Sequence, residues 1–468
     1  MSIASHHYRF RGLFRLTCLL VILMPLPLPG ADMSHSYSLE ELYRHAMQTS
    51  ETIKISEEEI YIARQQKTKA IAAIIPRVSA FSLYTQYNRD KTVPGGMVMQ
   101  PSSSISGGLR LDEGLSLGGK ELKAIDMAEK SIEKNRYDYD SVTEGYLYGI
   151  AGAFYDCLKA KKAIEIAQAS IERLTLYRDA AKTRLLAGEI TKTSLLRAEA
   201  ELSTATAEAL QAQNDLKIKK ATLKQLAGLK DDFDVRDDLP TTHDLANCPT
   251  DNIECLVQTA INRRTELKSY ATQREIAQKT IESASSSYWP TLSIEAVLMK
   301  KDDNPGWLFN NSEIAYATVK LSLPVYEGGI RQANINEARA KQRQSELAIE
   351  GLKKTISLDV ESAYLTYRTQ QGVISSLKDT LVYATDNYSS VNRQFDAGLA
   401  TSLDVMDANN LLATSQRKLS EAIYGYEMAW LKLKHSMGIP LSSITERSML
   451  NQVAPVANYS GWRLLLDF

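Results

Sequence analysis

The sequence predicts a mainly α-helical protein with a small β part, built from one repeat used twice. Three observations carry that fold class: the chain matches itself at a nearly constant offset, its apolar residues run in long ladders with a mean step of 3.5, and two short alternating runs precede each ladder. Together they predict long coiled-coil helices (an α-barrel) and four strands per chain of a β-barrel shared between subunits.

The duplication comes first. Leu42 and Ala46 match Leu256 and Ala260 at an offset of 214, which also places Ala63 on Ala277 and Pro76 on Pro290. Further on the offset is 210, bringing Gly118-Gly119 onto Gly328-Gly329, Gly188 onto Gly398, Ala198 onto Ala408 and Gly228 onto Gly438. The expected organisation is a signal peptide over 1–31, a first repeat over 32–228, a linker over 229–252, a second repeat over 253–438 and a tail over 439–468.

The opening segment reads as a leader. Arg9, Arg11 and Arg15 precede a nine-residue apolar stretch, Leu16 to Met24, which Pro25, Pro27 and Pro29 end. A membrane-spanning helix needs about twenty apolar residues, so this stretch suits export rather than anchoring. Cys18 lies inside the apolar core, the wrong place for a lipid acceptor. No other stretch approaches the spanning length, so membrane entry requires a closed barrel. The net charge of −1 offers no basic excess to neutralise phosphates, and nucleic acid is not an expected partner. In an exported chain, Cys248 and Cys255 form a candidate disulfide, with two unpaired thiols as the alternative.

Within each repeat a helical stretch ends at Pro76 (Pro290), where the chain loses a donor. Two strand-like runs follow, around a turn-rich loop: Asn88 to Ser103 with Pro94-Gly95-Gly96, and Lys300 to Glu313 with Asp302-Asp303-Asn304-Pro305-Gly306. The alternation puts Ile105, Gly107, Leu109 and Leu111 on one face of the second strand. The third offers Leu292, Ile294, Ala296 and Leu298, and the fourth Ala315, Ala317, Val319, Leu321 and Leu323. The first strand is ambiguous: Phe81 and Leu83 select one face, the repeat alignment selects Ala80, Ser82 and Tyr84. Four strands cannot close a barrel, for which about eight is the minimum, so identical subunits must pool them.

The double glycines then open the long helices. Their ladders are Tyr146, Ile150, Ala153, Cys157, Ala160, Ile164, Ala167, Ile171 and Leu174, and Val360, Ala363, Tyr367, Gln370, Ile374, Leu377, Leu381, Ala384, Tyr388, Val391 and Phe395. Steps of three and four in alternation predict knobs-into-holes packing. From double glycine to next glycine is about seventy residues, roughly 100 Å of helix. Each rod is expected to reverse at Gly188 (Gly398) and to return as a shorter partner to Gly228 (Gly438).

One motif competes. Gly114, Ser116 and Gly118 fit G-x-S-x-G between a strand and a helix. Only His243 and His435 follow as bases, and the second repeat has no serine at the matching place, so neither catalysis nor a cofactor is expected. The six histidines show no paired-ligand spacing, so no metal is expected either.

Over nearly its whole mature length the chain resembles the TolC-like outer-membrane efflux proteins. The resemblance is carried by the repeated order of elements, by the stretch Leu321 to Gly329, and by the tip from Phe395 through Asp396-Ala397-Gly398 to Ala408. It implies a homotrimer with a twelve-stranded barrel in outer-membrane lipid and a tapering periplasmic tunnel. It further implies docking at the tips onto a periplasmic adaptor that connects to an inner-membrane pump of the RND, ABC or MFS type. The expected function is an exit duct for efflux or type I secretion; the alternative is a periplasmic coiled-coil spacer without channel activity. By position, Phe395 to Asp407 would narrow the pore. The polar link that holds the closed tip in well-known members uses a tyrosine, an arginine and an aspartate, but the matching positions are Phe395, Ala400 and Ser194, so that link does not carry over.

The tips supply the remaining candidates. Gly188, Thr191, Gly398 and Thr401 are expected at the reversals and the adaptor contact. Asp404 and Asp407, three apart and so on one helix face, are expected to form with Phe395 the constriction and its selectivity. Helix capping by Thr401 and Asp404 is the competing explanation, yet the first tip carries Lys192, Ser194 and Arg197 instead of acids.

Overall fold

A computed structural model describes residues 35–88, 91–92, 94, 98–237, 252–304 and 313–441. The expected signal peptide, residues 95–97 and 305–312 of the two turn-rich loops, most of the linker with Cys248, and the tail from 442 onward lie outside the described residues.

The first repeat runs β1 (His35–Tyr37), α1 (Leu39–Thr49), α2 (Glu51–Ala72), β2 (Arg77–Gln86), β3 (Lys91–Thr92), β4 (Val98–Gln100), β5 (Ser103–Ser116), α3 (Lys120–Leu186) and α4 (Lys192–Ala227). After β6 (Phe233–Val235), the second repeat runs α5 (Ile253–Arg263), α6 (Thr265–Ser285), a short 3-10 turn, β7 (Thr291–Asn304), β8 (Glu313–Ser322), α7 (Ile330–Asp396) and α8 (Ser402–Ser436). The two rods, α3 and α7, have 67 residues each, and their return partners have 36 and 35. At 1.5 Å per residue each rod is about 100 Å long.

Equivalent positions do equivalent work. Leu42 and Leu256, Ala46 and Ala260, Ile150 and Val360, and Leu223 and Leu433 are all fully buried. They seed two matching cores, one where α1, α4 and β6 close on α3, the other where α5 and α8 close on α7. In α7 the ladder holds as expected: between residues 371 and 386 only Ile374, Leu377, Leu381 and Ala384 are withdrawn from solvent. In α3 the seam is wider, with Ile166 and Ser170 buried while Ile164 and Ile171 are half-covered. The cause is that α3 packs against both α4 and α8 and so needs two contact stripes.

The segment expected to be a bare linker begins with structure. Phe233 and Val235 of β6 are buried, and β6 pairs in parallel with β1 some two hundred residues away. Asp234 binds Lys161 at 2.7 Å, fastening this small sheet to the middle of α3.

The barrel strands form one antiparallel sheet in the order β2-β5-β7-β8. Its register resolves the ambiguous first strand, because Tyr84, Ser82, Ala80 and Val78 pair with Ile105, Gly107, Leu109 and Leu111 and therefore share their face. Leu109 pairs with Leu298, which pairs with Ala315, and Ile294 pairs with Val319. This face is apolar and open: Val319 is 68% exposed and Leu298 59%. The other face carries Arg110, which binds Asp112 at 2.8 Å and Glu295 at 2.7 Å, with Tyr316 donating to Glu295 at 3.1 Å. Strand β7 reaches Asn304, four residues beyond Lys300, where the loop was expected to begin, since Ser103 and Ser104 of β5 pair with Asn304 and Asp303. Ser116 ends β5 with its N–H donating to Glu121 of α3, so the G-x-S-x-G stretch is a strand-to-helix corner. Among the described residues no helix is long and apolar enough to cross a membrane.

Candidate functional site

The ends of the rods farthest from the sheet form the candidate site. Both reversals have the same geometry. Gly188 takes φ +77 and Gly398 φ +78, a left-handed conformation that glycine adopts at little cost. At the first tip the Gly188 N–H donates to the Leu185 carbonyl and the Glu189 N–H to the Arg184 carbonyl; at the second, Gly398 donates to Phe395 and Leu399 to Gln394. These paired bonds satisfy carbonyls that every helix end leaves orphaned. Thr191 and Thr401 then start the return helices, their hydroxyls accepting the Ser194 and Asp404 N–H groups. All four expected tip residues are exposed, and each has a capping role as well.

The acids are placed differently from each other. Asp404 completes a capping box: its carboxylate accepts both the Thr401 N–H and the Thr401 hydroxyl at 2.7 Å. Those bonds, side-chain first, hold its pKa below the ordinary carboxylate range. Asp407, one turn on, is also exposed. The two share the outward face of α8, while Val405, Met406, Ala408 and Asn409 turn inward.

Phe395, expected at the constriction, is buried within the protomer. It is only 3% exposed, packed with Tyr177, Ala198, Val405 and Met406 in a small apolar core that joins the two hairpins. It ends the α7 ladder, and a ladder residue faces the neighbouring helix rather than an opening. Its ring lies 5.0 Å from that of Tyr177 and 4.3 Å from the Arg184 guanidinium.

Sequence reasoning missed the polar contacts that cross between hairpins. Arg173 donates to Asn409 at 2.8 Å, Asn409 to Ser170 at 3.1 Å, and Asn410 to Glu201 at 2.8 Å. Arg184 reaches the carbonyls of Phe395 and Asp396. The one available signal was an unmatched repeat position: arginine at 184, glutamine at 394.

Of the cysteine pair, Cys255 is disulfide-bonded and Cys157 is a free buried thiol, while Cys248 lies outside the described residues. Among the described residues no group of His, Cys, Asp and Glu could hold a metal ion.

A helical conduit of this length, joined to a sheet with one apolar open face, defines an outer-membrane channel subunit. The family model described as outer membrane efflux protein matches residues 42–229 and again 256–439, once per repeat. The chain belongs to that family. It is 22% identical over 408 residues to outer membrane protein TolC of Vibrio cholerae, covering 86% of this chain and 90% of the relative. It is likewise 22% identical over 435 residues to TolC of Escherichia coli, covering 90% and 86%. A crystal structure of CusC superposes with a TM-score of 0.76 at 16% identity, over 86% of this chain and 93% of that one. The protein is an outer-membrane exit duct whose helices extend into the periplasm.

Proposed function

We propose that three copies of the chain close one barrel and one tunnel, and that acids of the tunnel mouth select what passes. The observation that carries this reading is the four-stranded sheet with both edges open and one face apolar. Among the described residues, strands β2 and β8 have no partner on their outer sides, and an unpaired edge in lipid costs several kcal/mol per orphaned group. Pairing β8 of one copy with β2 of the next removes both edges, and three copies supply twelve strands.

The tips are where a periplasmic adaptor docks, linking the duct to an inner-membrane pump of the RND, ABC or MFS type. Gly188, Thr191, Gly398 and Thr401 present two matching exposed turns per protomer, which suits a helical partner that packs alike on both. Asp404 and Asp407 form an acidic ring of six carboxylates around the mouth, where low-dielectric walls strengthen their field. Asp407 carries this role more purely, because Asp404 also caps α8. The spacer alternative leaves the apolar sheet face, with Val319, Leu298 and Leu321, unexplained.

Purified protein in planar bilayers tests the reading. The expected result is a trimer by light scattering and a cation-selective conductance blocked by multivalent cations from the periplasmic side. Changing Asp404→Asn and Asp407→Asn together should relieve the block and lower selectivity while conductance persists. A monomer, or unchanged selectivity in that double variant, overturns the corresponding half of the proposal.

A further inference from the structure

Strand pairing carries the helices with it. Strand β5 leads into α3 and α6 leads into β7, so the β5–β7 pair sets α3 beside α6. Polar links fasten this internal seam. Lys130 meets Glu275 at 2.8 Å and Lys279 meets Asp126 at 3.6 Å. Lys123 donates to the Ser286 hydroxyl at 3.0 Å, and the Ser269 hydroxyl donates to Asp138. The stripe of α6 that faces α3 is covered, with Ser269, Thr272 and Ser286 all buried.

The same connections recur at the outer edges of the protomer. Strand β8 leads into α7 as β5 leads into α3, and α2 leads into β2 as α6 leads into β7. In the three-copy barrel β8 of one copy lies beside β2 of the next, so α7 of one copy continues that interface beside α2 of the next. On α2 the positions matching the covered stripe of α6 are Ile55, Glu58 and Ala72, and all are exposed in the protomer. Ile55, Tyr61 and Ile62 are each more than half exposed. On α7, Ala333, Ala340 and Leu347 recur at heptad spacing and are exposed as well.

We propose that α7 of one copy packs on α2 of the next in the register of the internal α3–α6 seam, and that this subunit seam is uncharged at the places where the internal one is linked. The repeat offsets fix the partners. Lys130 and Glu275 become Ala340 and Tyr61, and Asp126 and Lys279 become Asn336 and Gln65. Lys123 and Ser286 become Ala333 and Ala72, and Asp138 and Ser269 become Ala348 and Ile55. Small and apolar side chains at these places let two copies join by burying surface, with no charge to match. The difference also sorts partners. Helices α2 and α6 hold the same place in their repeats and have 22 and 21 residues, so shape alone allows α3 to take the α2 of another copy. Seated there, Lys130 faces Tyr61 and Asp126 faces Gln65, and each loses its ion pair. One such loss is small, but it recurs along the seam and keeps α6 on its own chain's α3.

The proposal rests on the three-copy reading, and the two fail separately. Dissociation of the detergent-solubilised trimer is followed by chromatography with light scattering for wild type, Tyr61→Glu, Ala340→Lys and the double variant. Both positions are exposed in the protomer, so the subunit should stay folded, which circular dichroism checks. Each single variant puts an unmatched charge on all three seams, and dissociation should speed up about tenfold. The double variant rebuilds the Lys130–Glu275 link between copies and should return to within about threefold of wild type. Tyr61→Glu with Ala333→Lys, one heptad out of register, should show no rescue. If the single variants form no trimer, its recovery in the in-register pair alone supports the seam, and its absence there overturns it. A trimer indifferent to both single variants, or rescued equally out of register, overturns the seam and leaves the duct intact. A monomeric wild type overturns the three-copy reading and the seam with it.

Discussion

Glu427 is a carboxyl group in the wrong surroundings for a charge. It sits on α8, is 5% exposed, and lies close enough to Tyr155 and Tyr367 to oppose ionisation of both phenols. Burial pushes its pKa up to about 7 from an ordinary 4.5. In the unfolded chain the group loses its proton near the ordinary value, whereas the folded chain keeps it until about pH 7. Between those two values the folded state alone holds the proton, so stability falls as pH rises across that window and the full penalty is present above it. At 1.36 kcal/mol per pH unit the penalty is about 3 kcal/mol, an upper bound because protein relaxation and water penetration reduce it. Glu427→Gln cannot ionise. Its unfolding free energy should therefore lose the decline between about pH 4.5 and 7, and the variant should gain on wild type by up to about 3 kcal/mol at pH 8 relative to pH 4. Denaturation followed by circular dichroism at a series of pH values measures this. Infrared difference spectra should show a protonated-carboxyl band that titrates near pH 7 in wild type and is missing from the variant. The same pH dependence in both proteins, or no such band, refutes the reasoning.

Three further predictions follow from the same structure. Gly398→Val forces a β-branched residue to φ +78, costing at least about 1–2 kcal/mol at the turn; it should abolish efflux in a susceptibility assay while the trimer still inserts, and persisting adaptor crosslinks would remove the docking role of the tip. Gly108→Ala would bring a Cβ within 2.1 Å of the Leu298 carbonyl oxygen, whereas at Gly107 the nearest atom is 3.4 Å away; only the first variant should cut the yield of inserted trimer in outer-membrane fractions. Non-reducing mass spectrometry should recover a Cys248–Cys255 peptide, and replacing both residues with serine should cost at most about 2–3 kcal/mol because the loop is short; free thiols at both positions would refute the pairing.

The fold was legible because its signals are periodic and were written twice. A step of 3.5 over about ten turns admits no structure but a coiled-coil rod. An internal repeat lets a weak strand in one half be read from a clear one in the other. The first strand shows both sides of this: Phe81 and Leu83 selected one face, the repeat alignment selected Ala80, Ser82 and Tyr84, and the pairing with Leu109 and Ile105 decides for the aligned face. Alternation reports that a strand has two faces, whereas register with a neighbour decides which one joins the apolar surface.

The sequence by itself determined the duplicated order of elements, the length of the rods, the reversals at Gly188 and Gly398, and an acidic turn present in one repeat only. Each is encoded by residues near one another in the chain. The tertiary structure decided what local spacing does not carry: that Phe395 is buried between the hairpins, and that Arg184 reaches the end of the other rod. These depend on which helices lie side by side. A ladder predicts that a helix has a neighbour but does not name it, so contacts between residues more than two hundred positions apart exist only once the hairpins have packed.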